Sequence, residues 1–244
     1  MQFGVPPLTR GVKWIGAVTL AVSILAAVLG ESGSQLVRLV VFVPDQLWWH
    51  GKIWQPLTYT FLNPDPIGLL FALLGLWLLG ASLEQSWGTR RFVTFYFATG
   101  AAGAVATGLI GLFVPAVRVH PYFGNWASLE GLIAAFAVLM PNAQIFLYFV
   151  PVQARWMLPI SAGITVLFML MTGWVPYLPQ LFGLGAGVLF AGGVAPRNFM
   201  LRFKVWWIDR RLRRSKLRVV RGKKDDDVGG PFGGSGQGSD KFLH

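Results

Sequence analysis

Residues 124–131, which read GNWASLEG, hold the residue types that come nearest to chemistry. The stretch begins polar, spaces small residues closely, and places the hydroxyl of Ser128 and the carboxylate of Glu130 in an apolar run that ends at Met140. Small residues let helix backbones approach closely in lipid. An ionisable residue at membrane depth is by default a functional-site hypothesis. The stretch could therefore supply a nucleophile or a carboxylate that binds a proton.

Reactive side chains are sparse elsewhere. The chain has no cysteine, which excludes disulfides, thiolate metal sites and cysteine nucleophiles. Its histidines are scattered without metal-ligand spacing: His50, His120 and His244. We therefore expect no metal and no cofactor.

Two interpretations of Glu130 stay open. As a lone carboxylate early in a membrane helix, it lines a water-filled cavity and binds a polar group or a proton, or it bonds to backbone or to Arg118 near the interface.

If Ser128 were a nucleophile, its base would have to be His120 or Glu130. Ser128 would otherwise be an ordinary helix-packing residue, since it lies roughly 200° around the helix from Trp126.

Membrane helices must position this stretch. The 244 residues are 54% hydrophobic and only 13% Asp, Glu, Lys or Arg, against about 25% in a soluble domain, and the mean hydropathy is +0.56. We predict an all-α, polytopic membrane protein. Its spanning candidates are residues 14–30, 66–83, 92–115, 126–140, 157–172 and 180–194. The first could also be a signal peptide, although no small-x-small cleavage site clearly follows it.

A long first loop, residues 31–65, separates the first two candidates. It is amphipathic and rich in tryptophan, and Trp48, Trp49 and Trp54 suit the interfacial depth at which indole rings lie. A structureless loop of this length is uncommon. We expect short helices lying at the membrane surface.

The charge distribution predicts the orientation. Residues 1–196 hold 8 Lys/Arg against 5 Asp/Glu, a net +3, whereas residues 197–244 hold 13 against 5, a net +8. With six spans, Arg10, Lys13, Arg90, Arg155 and the basic tail fall on one face. The positive-inside rule makes that face cytoplasmic, so we expect both termini there, in a bacterial inner or plasma membrane.

Three regions follow from this pattern. Residues 1–12 form a short cytoplasmic N-terminus, residues 13–196 the membrane domain, and residues 197–244 a basic cytoplasmic tail with a disordered Gly/Ser-rich end. The tail is an orientation signal and a solvated segment, or a site for anionic lipids. No nucleic-acid partner is expected, because the membrane interface explains aromatic residues beside cations.

Several motifs, taken in order over about residues 40–195, resemble the membrane domain of the rhomboid intramembrane serine proteases. Trp54-Gln55, Thr58-x-x-Phe61 and Asn63 are similar to the family's Trp-Arg and Thr-x-x-Phe-x-His in the first loop. Glu84-x-x-x-Gly88-x-x-Arg91-Phe92 resembles the junction of the second and third helices. Residues 141–142 and 151–156 resemble the link before the fifth helix, and Gly183-x-x-x-Gly187 resembles the sixth. The resemblance implies a six-helix rhomboid-like bundle.

The resemblance also implies where the family's chemistry would lie. The family carries a serine nucleophile on the fourth helix, a histidine base on the sixth, and a histidine and an asparagine that hold the oxyanion on the second. Aligning Gly131 with a family glycine places Trp126 at the nucleophile position. Counting back three residues from Gly183 places Gln180 at the base position, and counting on from Phe61 places Gly68 and Ala72 at the oxyanion positions. An indole cannot attack a carbonyl, and a glutamine amide has no useful pKa for proton transfer. We expect Trp126 to face the other three and to fill the space that serine and substrate otherwise share.

Five retained residues should be structural: Glu84, Arg91, Gly131, Gly183 and Gly187. The resemblance assigns Glu84 hydrogen bonds toward the first loop, and Arg91 is most simply an orientation charge.

Two functional hypotheses result. The first is a rhomboid-like pseudoprotease, not an enzyme, that binds transmembrane helices of other membrane proteins in the bilayer without cleaving them. The second is an active intramembrane serine endopeptidase with a relocated site at Ser128.

Overall fold

A computed structural model describes residues 7–29, 35, 37–147 and 150–192. Apart from one short hairpin, the regular structure of these residues is helical. The predictions for the tail, residues 197–244, lie outside the described residues. The helices are α1 Arg10–Val28, α2 Pro44–His50, α3 Gln55–Thr58, α4 Pro66–Trp87, α5 Thr89–Gly111, α6 Pro115–Arg118, α7 Trp126–Leu139, α8 Ala154–Thr172 and α9 Leu178–Ala191.

Four of these helices, α1, α4, α5 and α8, are long and apolar enough to cross a membrane. The candidates α7 and α9 are apolar but have only 14 residues each. At 1.5 Å per residue they span about 21 Å, less than the roughly 30 Å of a hydrocarbon core. The prediction of a polytopic helical protein is confirmed, and the two short helices lie at the positions of the predicted fourth and sixth spans.

Local chemistry sets the limits of α4. Pro66 occupies its first turn, and the side chain of Asp65 caps it by accepting the backbone N–H of Gly68 at 2.5 Å. Within the helix, Leu76–Gly80 form a π-helical turn. Gly88, with φ +79°, ends α4 in a conformation that favours glycine and allows α5 to begin at Thr89.

The close pair α7 and α9 forms the centre of the bundle, and α5 packs on both. A Cβ atom on Gly183 would overlap the carbonyl oxygen of Ala127, and one on Gly187 would lie 2.6 Å from the Cα of Gly131. Glycines thus bring two helix backbones into direct contact. In lipid such contact is a main source of helix–helix attraction, because the apolar medium supplies no hydrophobic driving force between helices.

The first loop contains the short helices that its composition predicts. Besides α2 and α3, residues 37–40 and the 3₁₀ turn Tyr59–Phe61 are helical. The indole N–H of Trp48 donates to the carbonyl of Gly108 on α5 at 3.0 Å. Gln55 is fully buried, donates to the side chain of Gln46 at 2.7 Å and accepts the Val43 amide at 3.3 Å. The loop is therefore fixed to the bundle by specific hydrogen bonds.

A two-stranded hairpin lies between α7 and α8, where the sequence suggested only a turn. Strand β1 (Gln144–Leu147) pairs antiparallel with β2 (Val150–Gln153), with Gln144 opposite Gln153. Pro141 and Asn142 follow the end of α7, and the chain then contains several β-branched residues, which favour strands. The all-α prediction holds for the bundle and omitted this hairpin.

Candidate functional site

A cavity of about 180 Å³ opens at the N-terminal ends of α7 and α9. Trp126, the first residue of α7, and Gln180, in the first turn of α9, both line it. The indole of Trp126 is 37% exposed, so it forms part of the cavity wall without being sealed in the core. The residues aligned with the family's nucleophile and base therefore share one cavity.

Gly124 explains how Trp126 is held. Its φ is +92°, in the region that favours glycine, and a Cβ atom there would lie 2.8 Å from Trp126 Cδ1 and 3.1 Å from Asn63 Oδ1. The indole and the Asn63 amide thus both pack against the bare backbone of Gly124. Asn63 Nδ2 is buried and makes no hydrogen bond in the described part of the chain.

The lining of the cavity carries little charge. Among the described residues that line it, the only Asp, Glu, Lys, Arg or His is His120, whose Nδ1 lies 2.8 Å from the carbonyl of Pro121. Burial raises the pKa of the Tyr122 hydroxyl far above its ordinary value. Burial, and secondarily Tyr96, raises the pKa of Tyr59 in the same way. Both phenols are thus neutral at physiological pH, and the cavity offers aromatic walls and amide groups.

Gly68 and Ala72 are absent from this cavity, which corrects the expectation that Trp126 faces both. Gly68 lies in the first turn of α4, bonded to Asp65. Ala72, one turn further on, is fully buried in an apolar cluster that also contains Val12 and Leu132. Neither side chain offers a hydrogen-bond donor, so the second helix brings no oxyanion donor to the cavity from these positions.

Ser128 lies on a different face of α7 from the cavity. It is fully buried, and its Oγ packs directly against Gly100 of α5. The hydroxyl has no hydrogen-bond partner among the described residues. Glu130 bonds to other hydroxyls, and His120 lies in the loop. The geometry pairs Ser128 with neither of the bases considered for it.

Asn125 occupies the N-cap position of α7, but its side chain does not cap the helix. The side chain is fully buried, and its amide and the hydroxyl of Ser128 face the hydroxyl of Tyr96. None of these groups reaches hydrogen-bonding geometry with a described residue. Buried polar groups without partners are rare in proteins, so this cluster is an unusual feature of the bundle centre.

Glu130 bonds to α8 and not to Arg118. Its carboxylate accepts hydrogen bonds from Ser161 Oγ at 2.5 Å and from Thr165 Oγ1 at 3.3 Å. Arg118 instead places its guanidinium 4.9 Å from the ring centroid of Trp49. The two hydroxyls are four positions apart, and residues with that spacing lie on one face of a helix.

Among the described residues, Glu84 bonds to the start of α1 and not to the first loop. Its carboxylate accepts the backbone N–H groups of Gly11 at 2.8 Å and Val12 at 3.0 Å, and also the hydroxyl of Thr9. Thr89, at the start of α5, donates to it at 2.6 Å. The first N–H groups of a helix have no partner within the helix and favour an anion. These unpaired N–H groups explain why the partners of Glu84 lie at helix starts.

The remaining scaffold residues pack at close contacts. A Cβ atom on Gly131 would lie 2.6 Å from the Cβ of Thr99 on α5, so three helices meet at this glycine. The guanidinium of Arg91 lies 5.2 Å from the ring centroid of Trp87, a cation–π arrangement at the α4–α5 junction.

Sequence reasoning missed the partners of both membrane carboxylates. Ser161 and Thr165 carried a usable signal, because two hydroxyls at a spacing of four mark a polar stripe on an apolar helix. Thr9 and Gly11 carried no such signal, since nothing in their sequence neighbourhood indicates a carboxylate that lies 75 and 73 positions away, respectively.

The fold and the cavity define a class: a polytopic helical membrane protein whose short central helices place a cavity at one end of the bundle. Comparison with known families matches residues 50–197 to the Rhomboid domain. The chain belongs to the rhomboid family.

One relative is Rhomboid protease GluP of Bacillus subtilis (strain 168), 31% identical over 98 residues. The matched segment covers 40% of this chain and 18% of that protein. The similarity therefore concerns less than half of this chain and less than a fifth of the length of that relative.

Proposed function

We propose that this protein is a rhomboid-like pseudoprotease, which binds transmembrane helices of other membrane proteins and does not cleave them. Family membership supports a protease-like membrane scaffold. The proposal that the protein does not cleave its partners rests in addition on the residues at the positions of the family's nucleophile and base.

One observation carries the proposal: Trp126 and Gln180 line the same cavity. Acyl transfer needs a nucleophile activated by a base within hydrogen-bond reach, and donors aimed at the oxyanion. The indole offers no nucleophile and the amide no proton acceptor of useful pKa. The cavity keeps a location suited to substrate, while the positions of the family's nucleophile and base hold residues that cannot fill those roles.

The relocated-site alternative has no comparable support. Ser128 Oγ lies against Gly100 in the interior of the bundle, and no hydrogen bond joins it to a described base. A peptide bond could reach that hydroxyl only if α5 and α7 separated.

The exposed surface of the bundle supports binding in the plane of the membrane. Of the most apolar window of α8, 11% is buried, against 44% for α5. Leu170 and Met171 of α8 are 81% and 73% exposed. A helix with so little internal packing presents a wide apolar face to lipid or to a second helix. Association there would rest on close packing and interhelical hydrogen bonds.

The test treats the purified protein with a serine-directed fluorophosphonate and with a transmembrane test substrate. Wild type should show neither labelling nor cleavage. The Trp126→Ser, Gln180→His double variant restores the two family residue types. Comparing its labelling and cleavage with those of wild type shows whether the residues at these two positions are alone responsible for the absence of the reaction. An active rhomboid protease in the same detergent is the positive control.

Labelling or cleavage by wild type that is lost in Ser128→Ala would overturn the proposal in favour of the relocated site.

Photocrosslinking in native membranes, followed by identification of the captured proteins, tests the binding half of the proposal. It should recover membrane-spanning proteins whose chains are intact.

A further inference from the structure

The carboxylate of Glu130 lies at the seam between α7 and α8, and the side chain is partly exposed. From the residues that the structure describes it accepts hydrogen bonds of two neutral groups, the hydroxyls of Ser161 and Thr165. These bonds orient the carboxylate toward α8. They do not compensate a negative charge as a cation would.

Four of the described cations are engaged away from Glu130. The guanidinium groups of Arg91, Arg118 and Arg155 lie over tryptophan rings at 5.2, 4.9 and 6.0 Å from the ring centroids. Lys52 donates to the side chain of Gln46 at 2.9 Å. The hydrogen bonds of Glu130 in the described part of the chain join it to Ser161 and Thr165, neither of which carries a charge. Acidic residues within membrane segments usually pair with another group or mark a binding site.

The two carboxylates of the bundle, Glu84 and Glu130, differ in how much of their hydrogen-bonding capacity is filled. Glu84 receives two backbone amides and two hydroxyls, so its bonding capacity is largely filled from within the chain. Glu130 receives two hydroxyls and lies beside α8, the least packed of the long helices. Of the two, Glu130 is the one that an approaching helix can reach.

We propose that Glu130 is the contact point for a basic side chain, lysine or arginine, carried within the membrane-spanning helix of a bound partner. The inference rests on the proposed function, because it names the class of helix that the pseudoprotease binds. Opposite charges attract far more strongly in a low-dielectric medium than in water. A lysine in an isolated spanning helix is also costly to keep in lipid. Pairing with Glu130 would lower the cost of keeping the partner's basic side chain in lipid, and it would give Glu130 a cationic partner.

The experiment uses the full chain in liposomes and two hydrophobic helical peptides that differ only in one central residue, Lys or Leu. Because the chain has no native cysteine, one introduced cysteine carries a fluorophore for energy transfer to the labelled peptide. Wild type should bind the Lys peptide at least tenfold more tightly than the Leu peptide. Glu130→Gln should bind both at the affinity of the Leu peptide, and Glu130→Asp should keep part of the preference.

Matched controls separate the possible failures. Glu84→Gln removes the other membrane carboxylate and should keep the full preference for the Lys peptide. If Glu130→Gln does not fold, Thr165→Val serves instead: it keeps the charge and should keep the preference. A preference lost in that variant would count against the inference.

The outcomes also separate the inference from the proposed function. If wild type binds neither peptide, the proposed binding of transmembrane helices is itself wrong for these partners. If wild type binds both peptides equally, or Glu130→Gln retains the tenfold preference, helix binding stands and the role of Glu130 is overturned.

Discussion

The carboxylate of Glu84 accepts the backbone N–H of Gly11 at 2.8 Å, across 73 positions of sequence. A Cβ atom on Gly11 would come within 2.9 Å of the same carboxylate, so the glycine is what allows the approach. Through this contact the C-terminal part of α4 holds the N-terminus of α1. The first helix, which lies outside the matched Rhomboid domain, is thereby joined to the bundle by an anion at its amide end.

Removing this anion should loosen α1. We expect Glu84→Ala to lower the free energy of unfolding by about 2–3 kcal/mol, because hydrogen bonds to charged groups contribute roughly 1.5–3 kcal/mol and the helix N–H groups lose their acceptor. Thermal unfolding in detergent, followed by circular dichroism, measures this. The matched control is Asp65→Ala, which removes one capping bond and should cost about 1 kcal/mol. Equal stability of the two variants would contradict the anchoring role.

Two glycines of α9, two positions apart, should respond oppositely to alanine. A Cβ atom at Gly183 would overlap the backbone of Ala127, whereas at Gly185 nothing lies within 4 Å. We expect Gly183→Ala to destabilise by about 1–3 kcal/mol, as overpacking typically does. Gly185→Ala should be neutral or up to about 1 kcal/mol more stable, since alanine is the better helix former. The same unfolding assay measures both, and a tolerated Gly183→Ala would show that α7 and α9 can separate.

Two serines, Ser128 and Ser161, should differ in how their replacement by alanine changes stability. Ser128 Oγ is buried without a described partner, whereas Ser161 Oγ donates to Glu130. Ser128→Ala removes a buried polar group without a described partner and should leave the free energy of unfolding unchanged or raise it by about 1 kcal/mol. Ser161→Ala removes a donor to a carboxylate and should cost about 1.5–3 kcal/mol. A large loss of stability in Ser128→Ala would indicate a hydrogen bond to this hydroxyl.

The orientation of the chain can be tested with single cysteines, since the natural sequence has none. Leu8 and Val119 are 53% and 68% exposed, and the positive-inside pattern assigns them to opposite faces. A membrane-impermeant maleimide applied to intact cells should label Val119→Cys and spare Leu8→Cys. Permeabilised cells should label both. The reverse pattern in intact cells would place the termini outside.

The sequence by itself determined the class of this protein. Its long apolar runs with few charges require a membrane, and each helix forms from residues within a few turns, so the helices fall close to the predicted runs. The order of the motifs predicted the rhomboid family, which the match over residues 50–197 confirms. The residue types at the aligned positions, Trp126 and Gln180, were equally visible, although their chemical consequence stays a prediction.

The tertiary structure decided which groups meet. It brought Trp126 and Gln180 to one cavity and left Gly68 and Ala72 outside it. It also gave Glu84 its partners at the start of α1, and Glu130 its partners on α8. The physical reason is that a helix forms from local contacts, whereas the direction in which a side chain points depends on the rotation and depth of each helix. Those are set by distant contacts such as that of Gly183 with Ala127, and local sequence patterns do not encode them.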